Sequence, residues 1–118
     1  MATSERHSYV AGDVVVVPFP YADRLAEKRR PALVVSGPRL APFHLLWVAM
    51  ITSAENEAWS CDVPIADLKR AGLPAPSVVR PAKIACIEPM RVLRRAGKID
   101  RAGARRVAQR LRAFLPAI

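Results

Sequence analysis

Hydrophobic positions come in short runs through the first ninety residues, and proline or other turn-forming residues interrupt each run. Runs of β-branched and other apolar residues between such breaks are typical of short strands that are largely buried. The runs are GDVVVVPFP (12–20), PALVVS (31–36), FHLLWVAMITS (43–53), CDVPI (61–65), SVVR (77–80) and KIACIEPMRVL (83–93). The pattern predicts five to seven short strands, with one helical turn in DLKRAGLP (67–74).

The periodicity changes after residue 100. In DRAGARRVAQRLRAFL (100–115), apolar residues recur at spacings of three and four, which is the pattern of an amphipathic helix. Asp100 suits the position that caps the first turn of this helix. The predicted apolar stripe consists of Ala104, Val107, Ala108, Leu111, Phe114 and Leu115.

Together these elements predict a mainly β fold with a C-terminal α-helix. Short strands with tight turns and prolines at their ends indicate a small, curved and partly closed β-barrel. A length of 118 residues suits a single domain, and we expect residues 1–118 to form one.

The sign and the placement of the charge predict a class of partner. The chain carries a formal net charge of +9. Between residues 91 and 112 there are nine cations and one acid, which is a net +8. Such a concentration of positive charge predicts an anionic partner, either nucleic acid or an acidic protein.

The N-terminal sequence and the two cysteines predict the cellular compartment of the protein. The N-terminal MATSERHSY is polar and lacks the apolar segment of a secretion signal. The longest uncharged run, 40–54, is too short to span a bilayer, so no membrane association is expected. Cys61 and Cys86 lie in strand-like runs, which predicts buried, reduced thiols. We therefore expect a cytoplasmic protein.

Familiar catalytic motifs are missing from the sequence. There is no P-loop, no glycine pattern for a dinucleotide and no cluster with zinc-ligand spacing, so neither a cofactor nor a metal is predicted. His7 lies in the polar N-terminus and His44 is flanked by apolar residues, and neither belongs to a familiar catalytic dyad or triad. Ser36 and Ser53 follow strands without the nucleophile-elbow pattern of hydrolases.

Two polar residues at strand ends, Arg30 and Thr52, are candidates for a functional site. Arg30 precedes Pro31, whose ring restricts the preceding backbone to extended geometry. Arginine offers a planar fork of donors that matches two phosphate oxygens, and Thr52 would bring a hydroxyl to the solvent-facing end of the third strand. The pair can bind a phosphate; alternatively, Lys28, Arg29 and Arg30 are a solvated loop and Thr52 ends a strand.

Four motifs in sequence order carry a family resemblance. GDVVVVPFP, KRRPALVVS (28–36), a strand ending ITS (51–53) and SVVRPAKIACIE (77–88) resemble the MazF/PemK family of toxin ribonucleases. These are the toxin halves of bacterial type II toxin–antitoxin pairs, and the similarity extends from about Gly12 to Leu93.

The resemblance implies a fold, an activity and partners. The fold is an SH3-like β-barrel of the plasmid-maintenance-toxin type, usually a homodimer. The activity is metal-independent cleavage of single-stranded RNA, which inhibits growth and is blocked by a cognate antitoxin. Arg30 and Thr52 match the catalytic pair. Candidate RNA contacts are Lys28, Arg29, Ser53, Phe19 and Tyr21.

The expected chemistry uses the nucleophile that RNA itself carries. Attack of a 2′-OH on the adjacent phosphorus gives a 2′,3′-cyclic phosphate, while Arg30 stabilises the developing charge. The sequence assigns no general base. Two other interpretations remain: a basic module that binds nucleic acid without cutting it, and an SH3-like domain that binds a disordered acidic segment such as that of an antitoxin.

Overall fold

A curled, antiparallel sheet of six strands dominates the computed structural model, which describes residues 8–19 and 28–117 and only the backbone of Phe19. The strand order is β4-β5-β3-β2-β1-β6. The predicted fold class, mainly β with a C-terminal helix, is confirmed. The strands are β1 (Asp13–Phe19), β2 (Lys28–Val34), β3 (Leu46–Ser53), β4 (Val63–Pro64), β5 (Ser77–Ile87) and β6 (Arg94–Lys98).

Two α-helices accompany the sheet, and both begin at a capping aspartate. Oδ1 of Asp67 accepts a hydrogen bond from the Arg70 amide at 3.0 Å, and Oδ1 of Asp100 accepts one from the Gly103 amide at 2.7 Å. Neither α-helix is long and apolar enough to cross a membrane, and no other helix among the described residues is. The helices are α1 (Leu68–Ala71) and α2 (Arg101–Ala113), with short 3₁₀ segments at Pro38–Phe43 and Pro89–Arg91.

Helix α2 matches its prediction except at its C-terminal end. Val107 is buried, and Ala104 and Leu111 pack against the core, as the apolar stripe predicts. Phe114 and Leu115 lie beyond the last helical residue and are exposed, so their predicted place in the stripe is wrong.

The sheet buries side chains on both faces because successive residues of a strand point to opposite sides. Val14 packs in one cluster and its neighbour Val15 in the other. The helix-side core, on which α2 packs, contains Val14, Leu33, Ala49, Ile51, Val63, Val79 and Val107. The far-side core contains Val15, Val17, Ala32, Val34, Val48, Met50 and Ile87.

Strand β6 was missed by the hydrophobic pattern. Its sequence, RRAGK, has no apolar alternation, and it forms by pairing with the outer edge of β1. Gly97 in β6 is necessary here because a Cβ at this position would overlap the carbonyl oxygen of Arg70 in α1. The glycine thus permits close packing of α1 on the sheet edge.

The prediction that both cysteines are buried is wrong. Both cysteines are free, but Cys61 is half-buried and Cys86 is exposed on β5. Cys86 lies directly opposite Trp47, which is also exposed. The side of β5 that carries Cys86 therefore faces solvent at this point.

Asp13, the first residue of β1, ties β1 to the neighbouring strand β6. Its carboxylate is fully buried and lies 2.8 Å from Nζ of Lys98 and 3.1 Å from Nη2 of Arg95. Burial alone would raise the pKa of Asp13. The hydrogen bonds from Lys98 and the Val10 amide, with the positive charge of Arg95, outweigh that effect and hold the pKa below its ordinary value of 3.8.

Replacing Asp13 with asparagine should lower the free energy of unfolding at pH 7 by about 1–3 kcal/mol, because charged hydrogen bonds to a buried group are lost. Since the folded state depresses the pKa of Asp13, its stabilisation is present above pH 3.8 and is lost as the pH falls through the lower folded value. Urea unfolding from pH 7 to pH 2 measures both effects.

The control for this experiment is Asp100→Asn, the same chemical change at a helix cap. Asparagine caps helices about as well as aspartate, so the control should change stability by only a few tenths of a kcal/mol. Equal stability of Asp13→Asn and the unaltered protein at pH 7 would contradict the assignment.

Candidate active site

Pro31 lies in β2, between β1 and β3, where a residue normally donates a hydrogen bond to its neighbours. Proline has no N–H to donate. The ladder between β2 and β1 continues to Lys28, whereas the ladder between β2 and β3 ends at the pair Ala32 and Met50. The proline thus accounts for the stretch beyond that pair, in which β2 and β3 have no cross-strand pairing.

Arg30 and Thr52 lie in this unpaired stretch. Arg30 is two residues before Ala32 and pairs directly with Val17 of β1, and Thr52 is two residues after Met50. Both residues share the face of the far-side core, because Ala32 and Met50, two positions away, belong to it. The structure therefore brings the two predicted residues to the same face of adjacent strands.

The three consecutive cations of β2 differ in exposure. Lys28 and Arg29 are exposed, whereas Arg30 is half-buried and its Nε atom is enclosed. All three belong to the strand itself and pair with β1, so the alternative that they form a solvated loop is wrong. A strand-borne arginine is held more firmly than a loop arginine, which suits a group that positions a phosphate.

Thr52 is less accessible than its place at a strand end predicted. It is only 4% exposed, and its Oγ1 accepts a hydrogen bond of 2.6 Å from Nδ2 of Asn56. Because this hydroxyl accepts from the Asn56 amide, its own proton cannot point at that amide. Asn56 therefore restricts the directions in which Thr52 can donate.

The loop between β3 and β4 is held to β5 by Arg80. The Arg80 guanidinium makes a bidentate ion pair with Asp62, with Nε to Oδ1 at 2.9 Å and Nη2 to Oδ2 at 3.0 Å. Nη2 also donates to the carbonyl of Glu57 at 2.8 Å, and Cζ lies 4.2 Å from the centroid of the Trp59 ring. This Arg80 clamp orders the loop that carries Asn56.

Both charged members of the Arg80 clamp are nearly enclosed, with 9% of each side chain exposed. The hydrogen bond from Arg80 lowers the pKa of Asp62 more than its burial raises it. The same hydrogen bond raises the pKa of Arg80 further above its already high value. The pair is ionised at neutral pH, and the ion pair is lost only in acid, as Asp62 becomes protonated.

The remaining predicted contact residues lie at several places. Ser53 is exposed at the end of β3, where its Oγ accepts from the Glu55 amide at 3.1 Å. Phe19 ends β1 directly opposite Lys28, and its side chain lies outside the described residues, as does all of Tyr21. The contacts assigned to Phe19 and Tyr21 therefore remain predictions.

The histidines and Ser36 do not assemble a second site. His44 is exposed, at a backbone φ of 57°, and ends a 3₁₀ segment. The Oγ of Ser36 accepts from the Trp47 amide at 3.1 Å, which is a structural contact. His7 lies outside the described residues. Among those that are described, no three histidine, cysteine or acidic side chains group as metal ligands.

Asn56, Asp62, Trp59 and Arg80 were not identified from the sequence. Their contacts join residues up to 23 positions apart, which no local pattern encodes. One signal was present: Arg80 precedes Pro81 just as Arg30 precedes Pro31. Arg80 is paired directly with Met50 and so shares the face on which Thr52 lies.

The arginines of α2 lie on the other side of the sheet. Helix α2 packs on the helix-side core, whereas Arg30 and Thr52 belong to the opposite face. The separation means that the α2 cations and the Arg30–Thr52 pair do not line one continuous surface on the same face. The exposed arginines of α2 are Arg101, Arg105, Arg106, Arg110 and Arg112.

Comparison with known proteins supplies a family and a fold. The model of the PemK-like, MazF-like toxins of type II toxin–antitoxin systems matches residues 11–115. MazF of Deinococcus radiodurans is 22% identical over 91% of this chain and 97% of that chain, with a TM-score of 0.71. No curated protein sequence matches closely enough to count as a relative.

Two mycobacterial structures are similar in fold. The Mycobacterium tuberculosis toxin MazF-mt6 is 22% identical over 86% of this chain and 95% of that chain, with a TM-score of 0.68. An endoribonuclease from a mycobacterial species, solved in complex with its cognate antitoxin, is 15% identical over 94% of this chain and 100% of that chain, with a TM-score of 0.72.

Arg80→Lys should loosen the loop between β3 and β4 although it keeps the charge. Lysine cannot reproduce the bidentate contact with Asp62 and the additional bond to Glu57. We expect a loss of about 1.5–3 kcal/mol in the free energy of unfolding. Hydrogen exchange at the Trp59 amide, which donates to Asp62 at 2.9 Å, should accelerate.

The matched control is Arg105→Lys, on the exposed face of α2, which should leave both measurements unchanged. Unaltered exchange at Trp59 in Arg80→Lys would show that the clamp does not order the loop.

Proposed function

This chain belongs to the PemK-like, MazF-like toxins of type II toxin–antitoxin systems, and from that premise we propose that it is a metal-independent endoribonuclease for single-stranded RNA. The observation that carries the proposal is the placement of Arg30 and Thr52 on the face of the far-side core, each two residues beyond the last pair between β2 and β3. A phosphate bound there would meet a guanidinium from one strand and a hydroxyl from the next.

Arg30 stabilises the transition state of this reaction. The pentacoordinate phosphorus carries more negative charge than the starting diester, and a guanidinium binds its non-bridging oxygens through two parallel hydrogen bonds. Because Arg30 is half-buried, water screens its charge less than that of a fully exposed arginine. Removing one such donor typically lowers kcat by roughly 10²–10³-fold.

Thr52 donates to the same phosphate, and Asn56 positions it. The amide of Asn56 occupies one acceptor site of the hydroxyl, so the Thr52 proton is directed away from that amide. With only 4% of the residue exposed, a phosphate reaches the hydroxyl only when it lies close against the sheet. Such a requirement favours a splayed single strand over a stacked duplex.

The reaction needs no external nucleophile. A bond forms between the 2′-oxygen and phosphorus while the bond from phosphorus to the 5′-oxygen of the next nucleotide breaks. The 2′-hydroxyl loses its proton, the 5′-oxygen gains one, and the products are a 2′,3′-cyclic phosphate and a 5′-hydroxyl. The protein contributes alignment and charge stabilisation, both of which the residues of the site can supply.

Flanking residues bind the strand on either side of the cleaved bond. Lys28 and Arg29 are exposed cations adjacent to Arg30 and suit neighbouring phosphates. Ser53 follows Thr52 and lies directly opposite Ser77 in β5, at the rim of the same region. Phe19 and Tyr21 would supply stacking surfaces for bases on the β1 side.

We also propose a homodimer and a cognate antitoxin as partners, and growth inhibition as the outcome of unblocked cutting. Support for the antitoxin comes from the family and from the mycobacterial endoribonuclease that was solved with its cognate antitoxin, whereas the dimer and growth inhibition rest on the family resemblance alone. A net charge of +9 is suited to a partner that is acidic.

Arg30→Ala should reduce cleavage of single-stranded RNA in EDTA by roughly 10²-fold or more, because a charged donor to the transition state is removed. Gel analysis of a 5′-labelled RNA measures the rate, and mass spectrometry of the fragments should find the cyclic phosphate. Circular dichroism should show an unchanged fold.

Two controls accompany this test. Arg105→Ala removes one charge from α2, across the sheet from the site, and should cut at the normal rate. A substrate with a 2′-deoxy sugar at the cleaved position should resist the unaltered protein. Binding of RNA with no cutting by the unaltered protein would favour the non-catalytic module, and normal cutting by Arg30→Ala would refute the site assignment.

Asn56→Ala should lower kcat roughly tenfold with little change in KM, since it removes the bond that orients Thr52. Thr52→Val, which keeps the shape and loses the hydroxyl, should lower kcat by roughly 10–10²-fold. In the Thr52→Val background, Asn56→Ala should have no further effect. Additive losses in the double variant would show that Asn56 acts independently of Thr52.

A further inference from the structure

Trp59 presents an unusual surface in the loop between β3 and β4. Its indole stacks on the Arg80 guanidinium, with Cζ 4.2 Å from the ring centroid, yet 40% of the residue is exposed. A tryptophan that serves only stability usually buries most of its large apolar surface. Here the cation covers one face of the ring, and a substantial area stays in contact with water.

The position of this ring is fixed before any ligand arrives. The Trp59 amide donates to Oδ2 of Asp62 at 2.9 Å, and its carbonyl accepts from the Asp62 amide at 3.0 Å. Asp62 and the carbonyl of Glu57 in turn hold Arg80 beneath the ring. Because the ring is already held in place, a ligand that stacks on it does not have to offset the entropy lost by ordering this side chain.

Arg80, on which the ring stacks, comes from the strand next to Thr52. Thr52 is directly opposite Val78 in β5, and Arg80 is two residues further along that strand on the same face. Such diagonal neighbours have Cα atoms about 7–8 Å apart. Strand β5 lies on one side of β3 and β2 on the other, so the arginine that supports Trp59 is on the opposite side of Thr52 from Arg30.

We propose that Trp59, supported by Arg80, is a stacking surface for an unpaired base of single-stranded RNA next to the cleaved phosphate. The inference rests on the proposed nuclease function and adds a base-binding position to it on the β5 side. Aromatic rings bind bases of single strands by stacking, and every base offers a π-face. The contact therefore contributes affinity and alignment for any base at this position.

Binding is best measured with RNA that cannot be cut. Dodecamers of A, of U and of C with 2′-O-methyl sugars have no 2′-hydroxyl to attack the phosphorus, so equilibrium binding can be followed by fluorescence anisotropy. Trp59→Ala should weaken binding roughly 10-fold to 100-fold, which is the range for loss of one base–aromatic stack. Trp59→Phe keeps a ring and should bind within roughly fivefold of the unaltered protein.

Trp47 provides the matched control. It is the same residue type with a similar exposed fraction, 49%, and lies five residues from Thr52 along β3. At 3.4 Å per residue, that separation is about 17 Å. Trp47→Ala should therefore leave affinity for the dodecamers unchanged.

Fluorescence reports the contact directly, because Trp47 and Trp59 are the two tryptophans of the chain. In a Trp47→Phe background, emission comes from Trp59, and saturating dodecamer should quench it by stacking. This measurement also decides the question if Trp59→Ala fails to fold by circular dichroism.

Each outcome bears on a separate claim. If the unaltered protein cuts RNA but Trp59→Ala binds dodecamers normally, or Trp59 emission is unchanged at saturation, the stacking surface is refuted and the nuclease stands. Quenching by an acidic peptide and not by RNA would also refute it, in favour of a protein-binding surface. If the unaltered protein neither cuts RNA nor binds dodecamers, both claims fail.

Discussion

The missing N–H of Pro31 is the constraint from which the site follows. Proline is rare inside a sheet because it removes a ladder bond, and β2 lies between two other strands. Pairing with β1 survives on one side of β2, while pairing with β3 ends next to the proline. Arg30 and Thr52 lie beyond the last pair between β2 and β3, on the same face of the sheet, and this is where we propose that a phosphate binds.

Packing in the two cores fixes the register of β2, and with it the position of Arg30. A slip of one residue in β2 would exchange Ala32 and Leu33 between the far-side and helix-side cores. Both cores are tightly buried, so such a slip would expose apolar side chains and bury mismatched ones on both faces at once. The register that packing imposes on Ala32 and Leu33 is the same register that places Arg30.

Arg80 also precedes a proline, as Arg30 does, but its guanidinium forms an ion pair within the protein. Pro81 follows it where the pairing of β3 with β5 shifts register, between Ala49 and Met50. This irregularity leaves Arg80 on the face of Thr52, where Asp62 neutralises it. A buried ion pair is weak evidence for added stability, since desolvation offsets much of the attraction. Its evident contribution is to specify one conformation of the loop that carries Asn56 and Trp59.

Sequence patterns predicted what depends on local apolar runs and missed what depends on contacts between distant residues. The valine run of β1 and the three-four spacing around Val107 identify their elements because burial alone explains them. Strand β6 has no apolar pattern and exists because β1 offers an unpaired edge. Arg30 could be identified from the sequence because it precedes Pro31. The hydrogen bond from Asn56 to Thr52 could not, because it depends on the conformation of the turn after β3.

In the proposed nuclease, the net charge of +9 would act in two ways. Helix α2 packs on the helix-side core, whereas Arg30 lies on the far-side face of the sheet. The exposed α2 arginines would raise the rate at which an anionic partner arrives, an effect that salt weakens. Alignment of the phosphate would depend on the half-buried guanidinium of Arg30, whose contacts salt screens less.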